Sequence, residues 1–269
     1  MRIFKRKLYE KLLDWKNNRS GRTAVLIEGA RRVGKSTLAR QFAQNEYESY
    51  VMIDFSIVKK DILELFDSIA DLDYFFLQLQ FRLGVSLKER KSWIIFDEVQ
   101  MCPKARQAIK HLVADGRYDY IETGSLISIR KNVKDIVIPS EEEKMILHPL
   151  DYEEFKWALG DTTTIAQMRM IFEKRLSMGD AVTRKLMRDF RLYMAVGGMP
   201  QAVCEYLETN NLMDVDRVKR GIIQLYEDDF YRIDQSGRIS MLFDAIPAQL
   251  SSNASRFQVA SALGDNVDS

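Results

Sequence analysis

The segment Gly29-Ala30-Arg31-Arg32-Val33-Gly34-Lys35-Ser36-Thr37 has the spacing of a phosphate-binding loop: glycine, four residues, glycine, lysine and a hydroxyl. Glycines let backbone N–H groups turn inward around phosphate oxygens, and a helix starting at Lys35 offers unpaired donors and the positive end of its dipole. In that chemistry Lys35 reaches the β- and γ-phosphates. Ser36 presents its hydroxyl to Mg²⁺, a hard cation that takes few protein oxygens and keeps water. Farther on, Trp93-Ile94-Ile95-Phe96-Asp97-Glu98 places two acids after four apolar residues. An acid at the tip of a buried strand faces the crevice where open α/β sheets bind ligands, so Asp97 is a candidate for holding Mg²⁺ and Glu98 for the general base that polarises a water. Ile121-Glu122-Thr123-Gly124-Ser125 ends another apolar run with small hydroxyls. Thr123, or failing that Ser125, is placed to sense a γ-phosphate, although a plain Ser/Gly turn explains the same residues.

Arg31 and Arg32 sit inside the loop at variable positions, which commonly point outward to solvent or an interface. An arginine that completes the charge stabilisation is not assignable, since Arg106, Arg117 and Arg130 all qualify and another subunit is an equal source. The chain has no Asn/Thr-Lys-x-Asp segment and no glycine after Asp97-Glu98. ATP is therefore expected rather than GTP, with Mg²⁺ as its companion.

These residues need an alternating scaffold, and the apolar pattern supplies one. Strands are expected at Ala24–Glu28, Tyr50–Phe55, Ser92–Asp97, Tyr120–Thr123 and Lys144–Leu147, with helices at Lys35–Asn45, Leu72–Val85 and Ala105–Asp115. Strands alternating with helices imply right-handed crossovers and a mostly parallel, covered sheet. Phe4, Leu8, Leu12 and Trp15 recur at helical spacing, which predicts one apolar stripe on an N-terminal helix ending near Asn17–Gly21. After Pro149 the strand-like runs stop. Helices are expected at Asp151–Ala158, Ile165–Leu176, Thr183–Val196, Pro200–Thr209 and Val215–Arg232. The class switch divides the chain into an α/β domain over 1–150, opened by the helix of 1–20, a helical lid over 151–238, and 239–269 as the start of a further piece. Met241–Leu263 reads as two short helices with only Arg256 as a cation, which suits packing better than DNA binding.

The chain has 269 residues, 46% hydrophobic and 29% charged, with 5 Pro and 13 Gly, which excludes disordered and fibrous classes. Residues 1–40 carry 12 Lys/Arg against 3 Asp/Glu within a whole-chain charge of +1. Three of those cations belong to the phosphate loop and most of the others to the outer face of the first helix. Nucleic acid is not indicated. Two cysteines and two histidines, far apart, argue against a disulfide framework or zinc site. The N-terminus lacks the apolar run of a secretory signal and no stretch approaches the length of a membrane span, so a soluble cytoplasmic protein is expected.

Taken together, Gly29–Thr37, Asp97-Glu98-Val99-Gln100, Thr123-Gly124-Ser125, His148-Pro149-Leu150-Asp151-Tyr152-Glu153-Glu154-Phe155 and Val196-Gly197-Gly198-Met199-Pro200 resemble the AAA-like, STAND-related P-loop ATPases of bacteria and archaea, which pair an ATPase domain with a C-terminal domain of unknown function. The resemblance implies an additional-strand sheet, with the Asp97 strand next to the second strand and the Thr123 strand inserted beside the loop strand. It implies ATP hydrolysis coupled to a conformational change, with a homo-oligomer or protein partner. It further places Pro200, flanked by Gly197 and Gly198, near the adenine; locally the same residues read as a helix end followed by a proline starting the next helix. Members of this kind usually continue past Met241–Gly264 into a winged-helix-like region, so a truncated chain is expected. The same motifs also permit a switch or scaffold that binds nucleotide, hydrolyses it slowly or not at all, and acts through a partner.

Overall fold

Glycine and proline are sparse and the apolar runs short, so the chain forms many brief elements around a central sheet. The computed structural model describes residues 2–125, 140–251 and 256–264. Five strands, β1 (Ala24–Gly29), β2 (Ser49–Asp54), β3 (Ser92–Asp97), β4 (Asp119–Ser125) and β5 (Glu142–Ile146), form one sheet in the order β2-β3-β4-β1-β5. Every pairing is parallel. The Thr123 strand is thus inserted between the Asp97 strand and the loop strand, and the Asp97 strand lies next to the second strand, as the family resemblance implies. β1 and β3 are buried along their whole length, which is why they read as unbroken apolar runs rather than alternating ones.

Alternate residues face opposite layers. Leu26, Ile53, Ile94, Phe96 and Tyr120 meet the helices α3 (Lys60–Leu65), α4 (Leu72–Leu83) and α5 (Pro103–Asp115). Val25, Ile27, Trp93, Ile95 and Ile121 meet α1 (Lys7–Arg19) and α2 (Lys35–Glu46). The six-residue helix α3 carries no motif and falls outside the expected elements; Ile62 and Leu65 bury it against the sheet.

The N-terminal stripe is corrected in one respect. Leu8, Leu12 and Trp15 line α1, but the helix starts only at Lys7, and Phe4 packs elsewhere, among Leu150, Phe155, Val196, Ala202, Val203 and Val215. Those residues form the core of the helical region: α6 (Tyr152–Ala158), α7 (Thr164–Glu173), α8 (Asp180–Val196), α9 (Pro200–Thr209) and α10 (Leu212–Ile233). Between Met241 and Leu263 two helices are expected, whereas the structure has α11 (Arg238–Asp244), α12 (Ile246–Ser251) and α13 (Val259–Leu263), none of which buries a residue.

The two segments particular to the family resemblance clasp each other. Asp151 caps α6 by accepting from the Glu154 N–H at 2.9 Å, and Glu154 accepts in return from the Asp151 N–H at 3.3 Å. Just before this cap, the Leu150 N–H donates to the Gly198 carbonyl at 2.7 Å. A side chain at position 198 would put its Cβ 2.1 Å from the Leu150 carbonyl oxygen, so only glycine fits there. Gly197 ends α8, and Pro200 occupies the first turn of α9, where its missing N–H costs nothing.

Candidate nucleotide site

β1 ends at Gly29 and α2 begins at Lys35, leaving the loop between them to turn sharply. Gly29 is confined by β5, since a Cβ there would sit 2.3 Å from the Leu147 carbonyl oxygen. Arg32 and Gly34 both take left-handed conformations, with φ 68° and 98°. Alternating backbone handedness of this kind points successive N–H groups into one concavity, a nest for anions. The Lys35 ammonium is buried and donates to the carbonyls of Gly29 and Ala30 at 3.1 and 3.0 Å. Burial lowers its pKa; the carboxylates of Glu98 and Asp97 act against that shift, and the nearby charge of Arg31 adds to it.

Asp97 closes the opposite wall. One of its carboxylate oxygens accepts from the Ser36 hydroxyl at 2.7 Å and also from the Thr123 hydroxyl. The parallel register explains the meeting: Trp93, Ile95 and Asp97 share a face with Ile121 and Thr123 on the neighbouring strand. Thr123 is fully buried, so in this arrangement it orients the Asp97 carboxylate rather than facing the cleft. Ser125 pairs with Gly29 at the end of the sheet and is half-buried. Glu98 follows in a left-handed conformation, φ 53°, with its carboxylate held by the Gln100 amide. A non-glycine residue in that region carries strain of roughly 1 kcal/mol or more, which surrounding contacts must offset.

These walls enclose a cleft of about 450 Å³ lined by loop residues Arg31, Arg32 and Gly34 to Thr37, by Asp97 and Glu98, and by Asp54, Ser56 and Gln201. That volume lies within the range of small-molecule sites. The last three residues are additions to those legible in the sequence. Asp54 ends β2 just as Asp97 ends β3, the two pairing in register, and both follow apolar strands. An acid after Tyr50–Ile53 is the signal that points to it. Ser56 is tied to Asp54 through its N–H and hydroxyl, at 2.9 and 2.6 Å. Gln201, from the first turn of α9, has no recognisable signal. The Ser36 hydroxyl and Asp97 carboxylate are hard oxygen donors converging beside the loop, the donor set that Mg²⁺ prefers, so the residues present fit that ion.

Pro200 approaches the loop from the helical region, its Cγ 3.8 Å from where a Cβ on Gly34 would lie. It shares a narrow crevice with Phe4, Arg6, Gly34 and Leu38. The crevice offers only about 40 Å³, well below the several hundred of ordinary small-molecule sites. Arg6 spans the junction. It donates to the carbonyls of Val33, at 3.0 Å, and His148, and its Nε forms an ion pair with Glu154 at 3.2 Å. Of the arginines considered for charge stabilisation, Arg106 is buried and bonded to both oxygens of Glu142 at 3.2 Å, while Arg117 pairs with Asp115 and Asp73. Neither faces the cleft, and Arg130 lies outside the described residues.

A parallel sheet with the Thr123 strand inserted between the phosphate-loop and acidic strands, followed by a helical region, defines an AAA-class P-loop fold. Residues 21–156 match the family model described as an AAA domain, and residues 187–269 match a domain of unknown function, DUF8612. The chain belongs to this AAA domain family, AAA_14. Among solved structures it is similar to the Walker-type ATPase PABY2304 of Pyrococcus abyssi, at 17% identity and a TM-score of 0.53, covering 98% of this chain and 89% of that one. The Aeropyrum pernix ORC1 protein, solved in complex with DNA, gives 11% and 0.43 over 98% and 82% of the two chains. Caenorhabditis elegans PCH-2 gives 14% and 0.40 over 80% and 65%. The first likeness is one of fold alone. No curated protein matches the sequence. Among the described residues no helix is long and apolar enough to cross a membrane.

Proposed function

We propose that the chain is a Mg²⁺-dependent ATPase whose α/β domain over 1–150 binds the nucleotide and whose helical lid over 151–238 responds to it. The observation that carries this is the 2.7 Å contact of Ser36 with Asp97, which brings the metal-type donors of two distant segments to one point beside Lys35. Gly29 to Thr37 cradle the phosphates through their backbone N–H groups. Lys35 exchanges the two loop carbonyls for phosphate oxygens, a trade that restores a charged partner to a buried ammonium. Ser36 and Asp97 would hold Mg²⁺, which supplies neutralisation of phosphate charge, and Thr123 keeps the Asp97 carboxylate in place. Glu98 accepts the proton of the attacking water, and Ser125 lies beside the loop where it can orient that water. Arg6 and Pro200 carry a change at the loop into the lid, because Arg6 bonds Val33 on one side and Glu154 on the other.

Titration with MgATP and steady-state phosphate release form the test. Lys35→Ala should abolish measurable affinity; undiminished binding refutes the loop assignment. Glu98→Gln should keep binding and lower turnover by roughly 10²- to 10⁴-fold, the usual worth of a general base. Equal turnover refutes its role. If the wild-type protein binds tightly yet releases no phosphate, the non-hydrolysing switch acting through a partner replaces the ATPase.

A further inference from the structure

Arg31 occupies a variable position of the phosphate loop, yet its side chain and backbone are both engaged by α10. Its guanidinium lies 2.7 Å from Oδ1 of Asp229, and the Tyr226 hydroxyl donates to its carbonyl oxygen at 2.8 Å. Tyr226 and Asp229 are three residues apart and so share one face of α10. That face meets the loop across a sequence separation of 195 residues. Arg232, one turn farther, stands 3.8 Å from the same Asp229 oxygen and is the weaker competitor for it. α10 lies inside the segment matching the domain of unknown function.

Two properties make this contact more than packing. Arg31 lines the nucleotide cleft together with the Lys35 ammonium. Two cations at one wall repel each other until an anion arrives. The guanidinium also has five N–H donors in a fixed fork, so it can serve Asp229 and a phosphate oxygen together. Held only by solvent, so long a side chain would lose rotamer freedom on meeting the phosphate; held by Asp229, it has lost part of it beforehand.

We propose that Asp229 and Tyr226 are positioning residues of the nucleotide site: Tyr226 fixes the loop backbone at Arg31, and Asp229 aims the Arg31 guanidinium at the phosphates of a bound nucleoside triphosphate. The proposal rests on the nucleotide reading above and adds α10 to it. By thermodynamic reciprocity, phosphate binding and the docking of α10 strengthen each other.

The test is MgATP titration of the full chain by calorimetry, with thermal midpoints as a folding control. Asp229→Asn should weaken MgATP roughly three- to tenfold, and Asp229→Glu should recover most of the loss. Tyr226→Phe, which removes a single hydroxyl, should weaken binding by a smaller factor and serves if Asp229→Asn fails to fold. Arg31→Ala should weaken binding at least as much as Asp229→Asn, and the double variant should be no worse than Arg31→Ala alone, because Asp229 acts through Arg31. Affinity unchanged in both Asp229→Asn and Tyr226→Phe, tighter binding in Asp229→Asn, or additive losses in the double variant would overturn the proposal. If wild-type protein does not bind MgATP, or Lys35→Ala binds equally well, the nucleotide reading itself fails and takes this one with it. Normal wild-type and Lys35→Ala behaviour with an indifferent Asp229 removes only the role of α10.

Discussion

Behind the nucleotide cleft, on the sheet face covered by α5, two glutamates and an arginine are buried together. Arg106 bonds both oxygens of Glu142, and Glu122, fully buried on β4, faces the same pair. Among the described residues, neither oxygen of Glu122 has an N–H or O–H donor in front of it. Arg106 and, at 3.9 Å, Lys144 both pair with Glu142 and not with Glu122, so Glu122 satisfies itself by keeping a proton and donating it to Glu142. Burial, and next the negative charge of Glu142, hold its carboxyl well above the usual carboxylate range, with Arg106 opposing. The sign follows from proton counting. Between the ordinary carboxylate pKa and the raised folded one, the folded state binds more protons than the unfolded, so stability is full at low pH and falls as pH rises. The slope is up to about 1.4 kcal/mol per pH unit for the one retained proton. Glu122→Gln replaces the retained proton with an amide N–H that donates at every pH, and should remove this component. The assay is urea unfolding of both proteins from pH 5 to pH 7.5. The wild-type midpoint should fall, relative to the variant, by up to roughly 0.5 M per pH unit across that range. Parallel pH profiles for the two proteins, or a variant several kcal/mol less stable throughout, would refute the retained proton.

Gly198→Ala should cost about 2–4 kcal/mol, because its Cβ would lie 2.1 Å from the Leu150 oxygen and the Leu150–Gly198 hydrogen bond would be lost. In thermal unfolding that is a drop of roughly 5–15 °C. Gly221→Ala, in α10 with open space around it, should instead gain roughly 0.5–1 kcal/mol, and equal effects of the two would contradict the clasp. Arg6→Met should lose about 3 kcal/mol by leaving Glu154 buried without its cation, and should weaken MgATP binding in parallel, read by melting and titration. Loss of stability with intact affinity would show that Arg6 ties the lid without reaching the loop.

The five strands and the chemistry of the loop were legible because each rests on neighbours in sequence. Glycine spacing sets the turn, unbroken apolar runs set buried strands, and an acid at a run's end sets the crevice. Asp54 carried the same signal without a partner motif to draw attention to it. Phe4 misled, since its spacing from Leu8 is helical, but Arg6 and Lys7 are drawn to Glu154 and the chain stays extended before α1. Helix α3 falls outside the expected elements although Ile62, Leu65 and Phe66 recur at helical spacing, because six residues are too short a run for periodicity to stand out.

Local sequence determined the phosphate cradle, the strand order's ingredients and the capping residues, because turns, caps and apolar periodicity act over a few residues. Only the tertiary structure decided that Thr123 serves Asp97, that Arg106 is sealed away from the cleft, that Gly198 exists for the sake of Leu150, and that Arg31 answers to α10. Each of these depends on register between strands or on contact between helices far apart in the chain, where burial and charge pairing select a partner that no local spacing records.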